Sequence, residues 1–150
     1  MYSSLDSVTK KINQTTLLQL LNDEARGNDE IDLTDSSDLV VVRFNDAATA
    51  AQSEIDPYLR AKYTLPFDSV PQRVIDLSDD LTIYNIYKRR GNIPEDQTIV
   101  YKAVQSSLKD ISLGKSDLGV ANEPQQISNE IRTNKTSKDK IFNNDLWKRF

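Results

Sequence analysis

Only Asp, Glu, Lys and Tyr are available here for acid/base work, because the chain contains no His and no Cys. Their absence removes imidazole bases, thiol nucleophiles, disulfides and zinc sites built on either group. The nearest approach to a catalytic carboxylate pair is Asp79 with Asp80. Adjacent residues on a helix point about 100° apart and cannot readily share one substrate proton. The expectation is a protein that is not an enzyme and needs no cofactor.

Carboxylates cluster instead in one stretch. Residues 22–38, NDEARGNDEIDLTDSSD, hold seven acidic side chains and one Arg. A calcium loop with Gly27 in sixth place would put Arg26 fifth and Leu33 twelfth, so an EF-hand is excluded and no metal site is expected. Gly27 and the repeated Asn and Asp are turn formers, which makes the stretch a solvated acidic loop ahead of a helix.

The basic residues gather in two places. Lys88, Arg89 and Arg90 precede Gly91, where cations favour a helix C-terminus and Gly lies past its end; phosphate contact is the rival use of this triplet. Residues 1–131 carry 13 Lys and Arg against 21 Asp and Glu, a net of −8, whereas residues 132–150 carry 6 against 2, a net of +4. An acidic body with a basic tail predicts a tail that seeks an acidic surface, a neighbouring copy included.

Helices must position these groups. Ser3 with Asp6 makes a capping-box-like start, followed by Leu5, Val8 and Ile12 at helical spacing. Asn13 to Thr16 can cap a second short helix carrying Leu17, Leu18, Leu20 and Leu21. Asp38 suits the start of a third, in which Val41, Phe44, Ala48, Ala51, Ile55 and Leu59 recur every three or four residues. Pro57 predicts a kink or restart near Ser53, and Pro66 an end around Tyr63. Pro71 fits the first turn of a fourth helix with Val74, Leu77, Leu81 and Tyr84 inward, widened by Ile75, Ile83 and Tyr87. Pro94, with Glu95 and Asp96, opens a fifth whose stripe is Val100 or Tyr101, Val104, Leu108 and Ile111, ending at Gly114. Strand-like alternation never exceeds a few residues.

The expected fold is all-α, a small helical bundle over residues 1–119 with the acidic loop at 22–38, and a long extended C-terminal arm over 120–150. Residues 121–140 are mostly polar, with no core-forming pattern. Ile141, Phe142, Leu146, Trp147 and Phe150 then follow. Large aromatics anchor interfaces because they bury much area for few rotatable bonds. These five read as anchors on another subunit, guided by Lys138, Lys140, Lys148 and Arg149; packing back onto their own domain is the rival use. No stretch reaches the roughly 20 apolar residues that a bilayer requires. Met1 to Lys11 has polar residues where a signal peptide needs an apolar run, so a soluble, unprocessed protein is expected.

Several stretches together resemble a family of small head proteins from Mu-like phages and prophages. They are YSSLDSV at Tyr2 to Val8, TLLQLLND at Thr16 to Asp23, SEIDPYLRAKYTLP at Ser53 to Pro66, DLTIYNIY at Asp80 to Tyr87, ISLGKSDLGV at Ile111 to Val120 and the closing IFNNDLWKRF. Two positions depart: the family commonly has Gly where Pro57 stands, and Arg where Lys62 stands.

What this resemblance implies is a helical head–tail connector, also called an adaptor or head-completion protein. Such proteins form a ring, typically a dodecamer, under the portal protein and dock the stopper or tail protein. The arm would engage the portal or an adjacent subunit. Genomic DNA would pass through without sequence-specific binding, and carboxylates such as Asp23, Glu24, Asp29, Glu30 and Asp32 would face the lumen and repel its phosphates. Assembly in the host cytoplasm, residence in the virion neck and no membrane contact go with that role. A stopper or other tail-side ring protein would be built similarly. The rival from another class is a helical DNA-binding packaging or regulatory protein using Lys88 to Arg90 and the basic tail, which an isoelectric point near 4.9 opposes.

Overall fold

A computed structural model describes residues 1–120, and every regular element among them is helical. In chain order these are α1 (Leu5–Val8), α2 (Gln14–Leu21), a 3-10 turn (Asn28–Glu30), α3 (Leu39–Arg60), α4 (Gln72–Arg90) and α5 (Glu95–Ser112). The all-α reading therefore holds for the described residues. Residues 121–150, including every proposed anchor from Lys138 to Phe150, lie outside them.

The long helices form where the apolar spacing places them. In α3, Val41, Phe44, Ala48, Ala51, Ile55 and Leu59 are all buried, and the Asp38 carboxylate accepts from the Val40 N–H at 2.8 Å. That bond satisfies one of the orphan donors at the helix start. Contrary to expectation, α3 runs through Pro57 without a restart. Pro57 cannot donate to the Ser53 carbonyl, but both residues are exposed, so water can take that acceptor. The helix ends at Arg60 rather than near Tyr63, which turns inward instead: Tyr63 is buried and its hydroxyl accepts from the Leu118 N–H at 3.0 Å.

The other helix ends are corrected by single residues. Ser4, not Ser3, caps α1, exchanging backbone-to-hydroxyl bonds with Ser7. Ser3 is occupied elsewhere, donating to the Ser78 hydroxyl at 2.7 Å. Pro71 and Pro94 stand just before α4 and α5 as cap residues rather than inside the first turn. Gly91, at φ +74°, closes α4 in the left-handed region that side-chain-bearing residues avoid.

α3 packs most broadly on α4, and α5 packs across both. Two core clusters result. Phe44, Ala47 and Ala48 of α3 meet Val8, Leu17, Leu21, Ile83 and Ile86 at one end. Ile55, Leu59 and Tyr63 meet Val74, Leu77, Leu81, Val104, Leu108 and Ile111 at the other. At 1.5 Å per residue the 22-residue α3 is about 33 Å long, so it joins two cores near opposite ends of the body.

α4 departs most from its predicted stripe. Ile75, Tyr84 and Tyr87 are only half-buried, and Tyr84 stacks on Tyr101 with ring centroids 4.2 Å apart. Ser78, Asp79 and Thr82 are buried instead. The cause is that α4 has neighbours on several sides, so no single apolar face defines it. Ser3, Ser78 and Thr82 form a hydroxyl chain, and Ser7 donates to Asp79 at 2.8 Å, docking α1 onto α4. Lys11 reinforces the seam by donating to Asp80 and to the Asp76 carbonyl, each at 2.7 Å.

Burial raises the affinity of Asp79 for its proton, with the Ser7 hydroxyl opposing. For a carboxyl whose folded value is raised, the stabilising contribution is present below about pH 4 and is lost as pH rises through the folded value. Asp79→Asn keeps an acceptor for Ser7 and removes the buried charge. Thermal melts should show this variant more stable than wild type at pH 7, with the gain shrinking as pH approaches 4.

Candidate functional site

The acidic loop is built around an arginine clasp. α2 ends at Leu21, which leaves its last carbonyls without helical partners. Three guanidinium groups take them: Arg90 donates to Gln19 O at 3.0 Å, Arg89 to Leu20 O at 2.6 Å and Arg43 to Leu21 O at 2.7 Å. Positive charge at a helix C-terminus is favourable, and here it arrives from α3 and α4 rather than from α2. The same cations hold the start of the loop. Asp23 accepts from Arg89 and Arg90 at 2.6 Å each, and Glu24 accepts a two-pronged contact from Arg43.

A second pair closes the loop. Arg26 makes a bidentate contact with Asp38, at 2.7 and 3.1 Å, while Asp38 also accepts from the N–H groups of Val40 and Asp32. Asn22 spans the turn by bonding both the carbonyl and the N–H of Arg26, across Ala25, whose φ is +52°. Asp32 and Asp35 bind the neighbouring Thr34 and Ser37 hydroxyls. Asp29 and Glu30 are exposed, and no cation among the described residues pairs with them.

These contacts set the electrostatics. The Arg26 guanidinium, with the Val40 N–H, holds the Asp38 carboxyl well below the usual carboxylate range; Arg89 lowers Asp23, and Arg43 lowers Glu24. A lowered carboxyl stabilises the fold above its ordinary value, about pH 4, and that contribution disappears as pH falls through the lowered one. The Asp38 carboxyl is held so far down that it stays ionised at about pH 3. The Asp32 and Val40 amides should therefore keep their protection from pH 7 to about 3, corrected for intrinsic rates, and lose it only on further acidification. Loss of that protection already near pH 4 would show that Asp38 does not hold the loop.

The predicted acidic residues thus fall into two sets: Asp23 and Glu24 engaged by arginine, Asp29 and Glu30 facing outward, with Asp32 between. The basic triplet divides likewise. Arg89 and Arg90 are tied to protein groups at the end of α2, a use distinct from both capping their own helix and binding phosphate, and Lys88 is left exposed. Sequence reasoning missed Arg43. Its signal was a lone cation in the apolar run VVVRF near a helix N-terminus, where positive charge is unfavourable without a partner. Asp79 and Asp80 do not form a pair, since one faces Ser7 and the other Lys11.

The stretches singled out in the sequence serve as framework. Tyr2 donates to Asp56 at 2.7 Å, Tyr101 and Gln105 both bind Glu54, and Tyr58 reaches Gln105 at 3.2 Å. Lys62 makes one contact with Asp117, at 3.4 Å, where Arg could make two. With the Tyr63–Leu118 bond, this fixes the path by which the chain reaches Val120, beside Tyr63 and Phe67. Among the described residues no group of acidic side chains is arranged to hold a metal ion, and no helix is long and apolar enough to cross a membrane.

A family model described as bacteriophage Mu, Gp36 matches residues 2–135, which takes in all five helices and stops short of Ile141 to Phe150. No curated protein matches the chain.

Proposed function

The chain belongs to the bacteriophage Mu Gp36 family, a family of phage proteins, and from that premise we propose that it is a structural component of the virion: a head–tail connector that assembles as a ring under the portal and receives the stopper or tail. The observation that carries this reading is the match over residues 2–135. Three features of the chain support it.

First, the polar side chains brought together in the body are engaged in holding helices to one another, which is what a subunit acting by assembly rather than catalysis needs. Second, Arg89 and Arg90 contact protein. A duplex-binding role would need them free, so the DNA-binding alternative loses two of its cations and is left with Lys88 and the basic tail. Third, Asp29 and Glu30 project without cationic partners among the described residues. Uncompensated charge of this kind leaves a surface for a basic segment of an assembly partner. The segment from Ile141 to Phe150 supplies the anchoring aromatics, with Lys138, Lys140, Lys148 and Arg149 as electrostatic guides.

The test is sedimentation of purified protein with DNA-filled heads that carry the portal but lack this chain. The connector reading expects the protein to travel with such heads in a fixed ratio, and not with heads lacking the portal. Equal recovery with both kinds of head would reject it.

A further inference from the structure

A groove of about 310 Å³ lies between α2 and the acidic loop. Leu18, Ile31 and Leu33 give it an apolar floor, each half-buried and packed on the core beneath. Gln14, Thr15 and Asn28 supply the polar half of its lining, and the exposed carboxylates of Asp29 and Glu30 adjoin it in the chain. Its volume is at the small end of the range for binding pockets, about 300–1,000 Å³. An apolar floor beside uncompensated negative charge fits a segment that is aromatic and cationic at once.

The chain contains such a segment outside the described residues. Ile141, Phe142, Leu146, Trp147 and Phe150 are interspersed with Lys140, Lys148 and Arg149. The stretch 132–150 has a net charge of +4, and four loop carboxylates, Asp29, Glu30, Asp32 and Asp35, have no cationic partner among the described residues. We propose that this groove receives one aromatic side chain of Ile141–Phe150 from a neighbouring copy. The proposal rests on the assembly reading and names the surface through which copies join.

Placement permits a neighbour to supply it. Val120 sits by Tyr63 and Phe67, at one end of α3, whereas the groove overlies the core at the other end. Twenty residues separate Val120 from Ile141. A stretch of that length reaches at most about 66 Å, enough to span to an adjoining body. An exit at one end and a receptor at the other make a heterologous contact, and such contacts close into rings when the rotation permits.

Because the chain has no cysteine, the contact can be tested by pairing single thiols. Copies carrying Thr15→Cys are mixed with copies carrying Asn144→Cys and oxidised, with Ala103→Cys on the exposed side of α5 as the comparison. The mixed disulfide with Thr15→Cys should exceed that with Ala103→Cys by about tenfold or more. Adding Asp29→Lys and Glu30→Lys should remove the excess without lowering the melting temperature. Equal yields from the two thiols, or closure only when both thiols are in one chain, would overturn the proposal. Co-sedimentation with portal-bearing heads is read on the same material. Attachment without the crosslink defeats this contact alone, and loss of both defeats the assembly reading as well.

Discussion

Phe44→Ala is expected to destabilise the body by about 3–5 kcal/mol, the usual range for deleting a buried aromatic ring. Phe44 is 1 % exposed and sits where α3 meets Val8, Leu17, Leu21 and Ile86. Truncation would open a cavity between four helices whose relative positions are also fixed by the arginine clasp, so collapse around the void is restricted. A domain of this size has about 5–15 kcal/mol of total stability, and the loss should lower its melting temperature by roughly 10–20 °C. The damage should not be uniform. Amides of α2 and the N-terminal half of α3 should lose protection first, because Ile55, Leu59, Val104 and Leu108 belong to the other core. A melting temperature within 3 °C of wild type would refute the tight burial of Phe44, and an even loss of protection across all helices would refute the two-core description.

The largest functional effect is expected from Trp147→Ala combined with Phe150→Ala. Central aromatic anchors commonly contribute 2 kcal/mol or more each to an interface. Losing two should weaken attachment by about 100- to 1,000-fold, since each 1.4 kcal/mol is tenfold in affinity. The variant should melt as wild type does and yet fail to travel with portal-bearing heads at concentrations that saturate binding of the unaltered protein. Normal attachment would remove these two residues from the interface.

Local chemistry was legible in the sequence, and long-range chemistry was not. The α3 stripe from Val41 to Leu59, the Asp38 cap and the Gly91 and Gly114 helix ends each follow from a few neighbouring residues, and each is where its local pattern puts it. Ser78, Asp79 and Thr82 lay outside the predicted α4 stripe, since only the arrival of Ser3 and Ser7 from 72 or more residues away makes their burial tolerable. The acidic loop was visible as a loop, but its division into clasped and outward carboxylates depends on Arg43, Arg89 and Arg90, which come from two other helices. The family-like stretches were legible as motifs before they were legible as contacts: Tyr2 with Asp56, and Tyr63 with Leu118, become intelligible only once α3 and the end of the described chain are seen together.

The central claim, that this phage protein joins heads to tails by assembling on the portal, is tested most directly by reconstitution. DNA-filled heads from a phage lacking this chain are mixed with free tails, with and without the purified protein, and infectious particles are counted. The account predicts that particles appear only when the protein is present, and that Trp147→Ala with Phe150→Ala abolishes the rescue. Efficient joining without the protein, or rescue that persists in that variant, would contradict it.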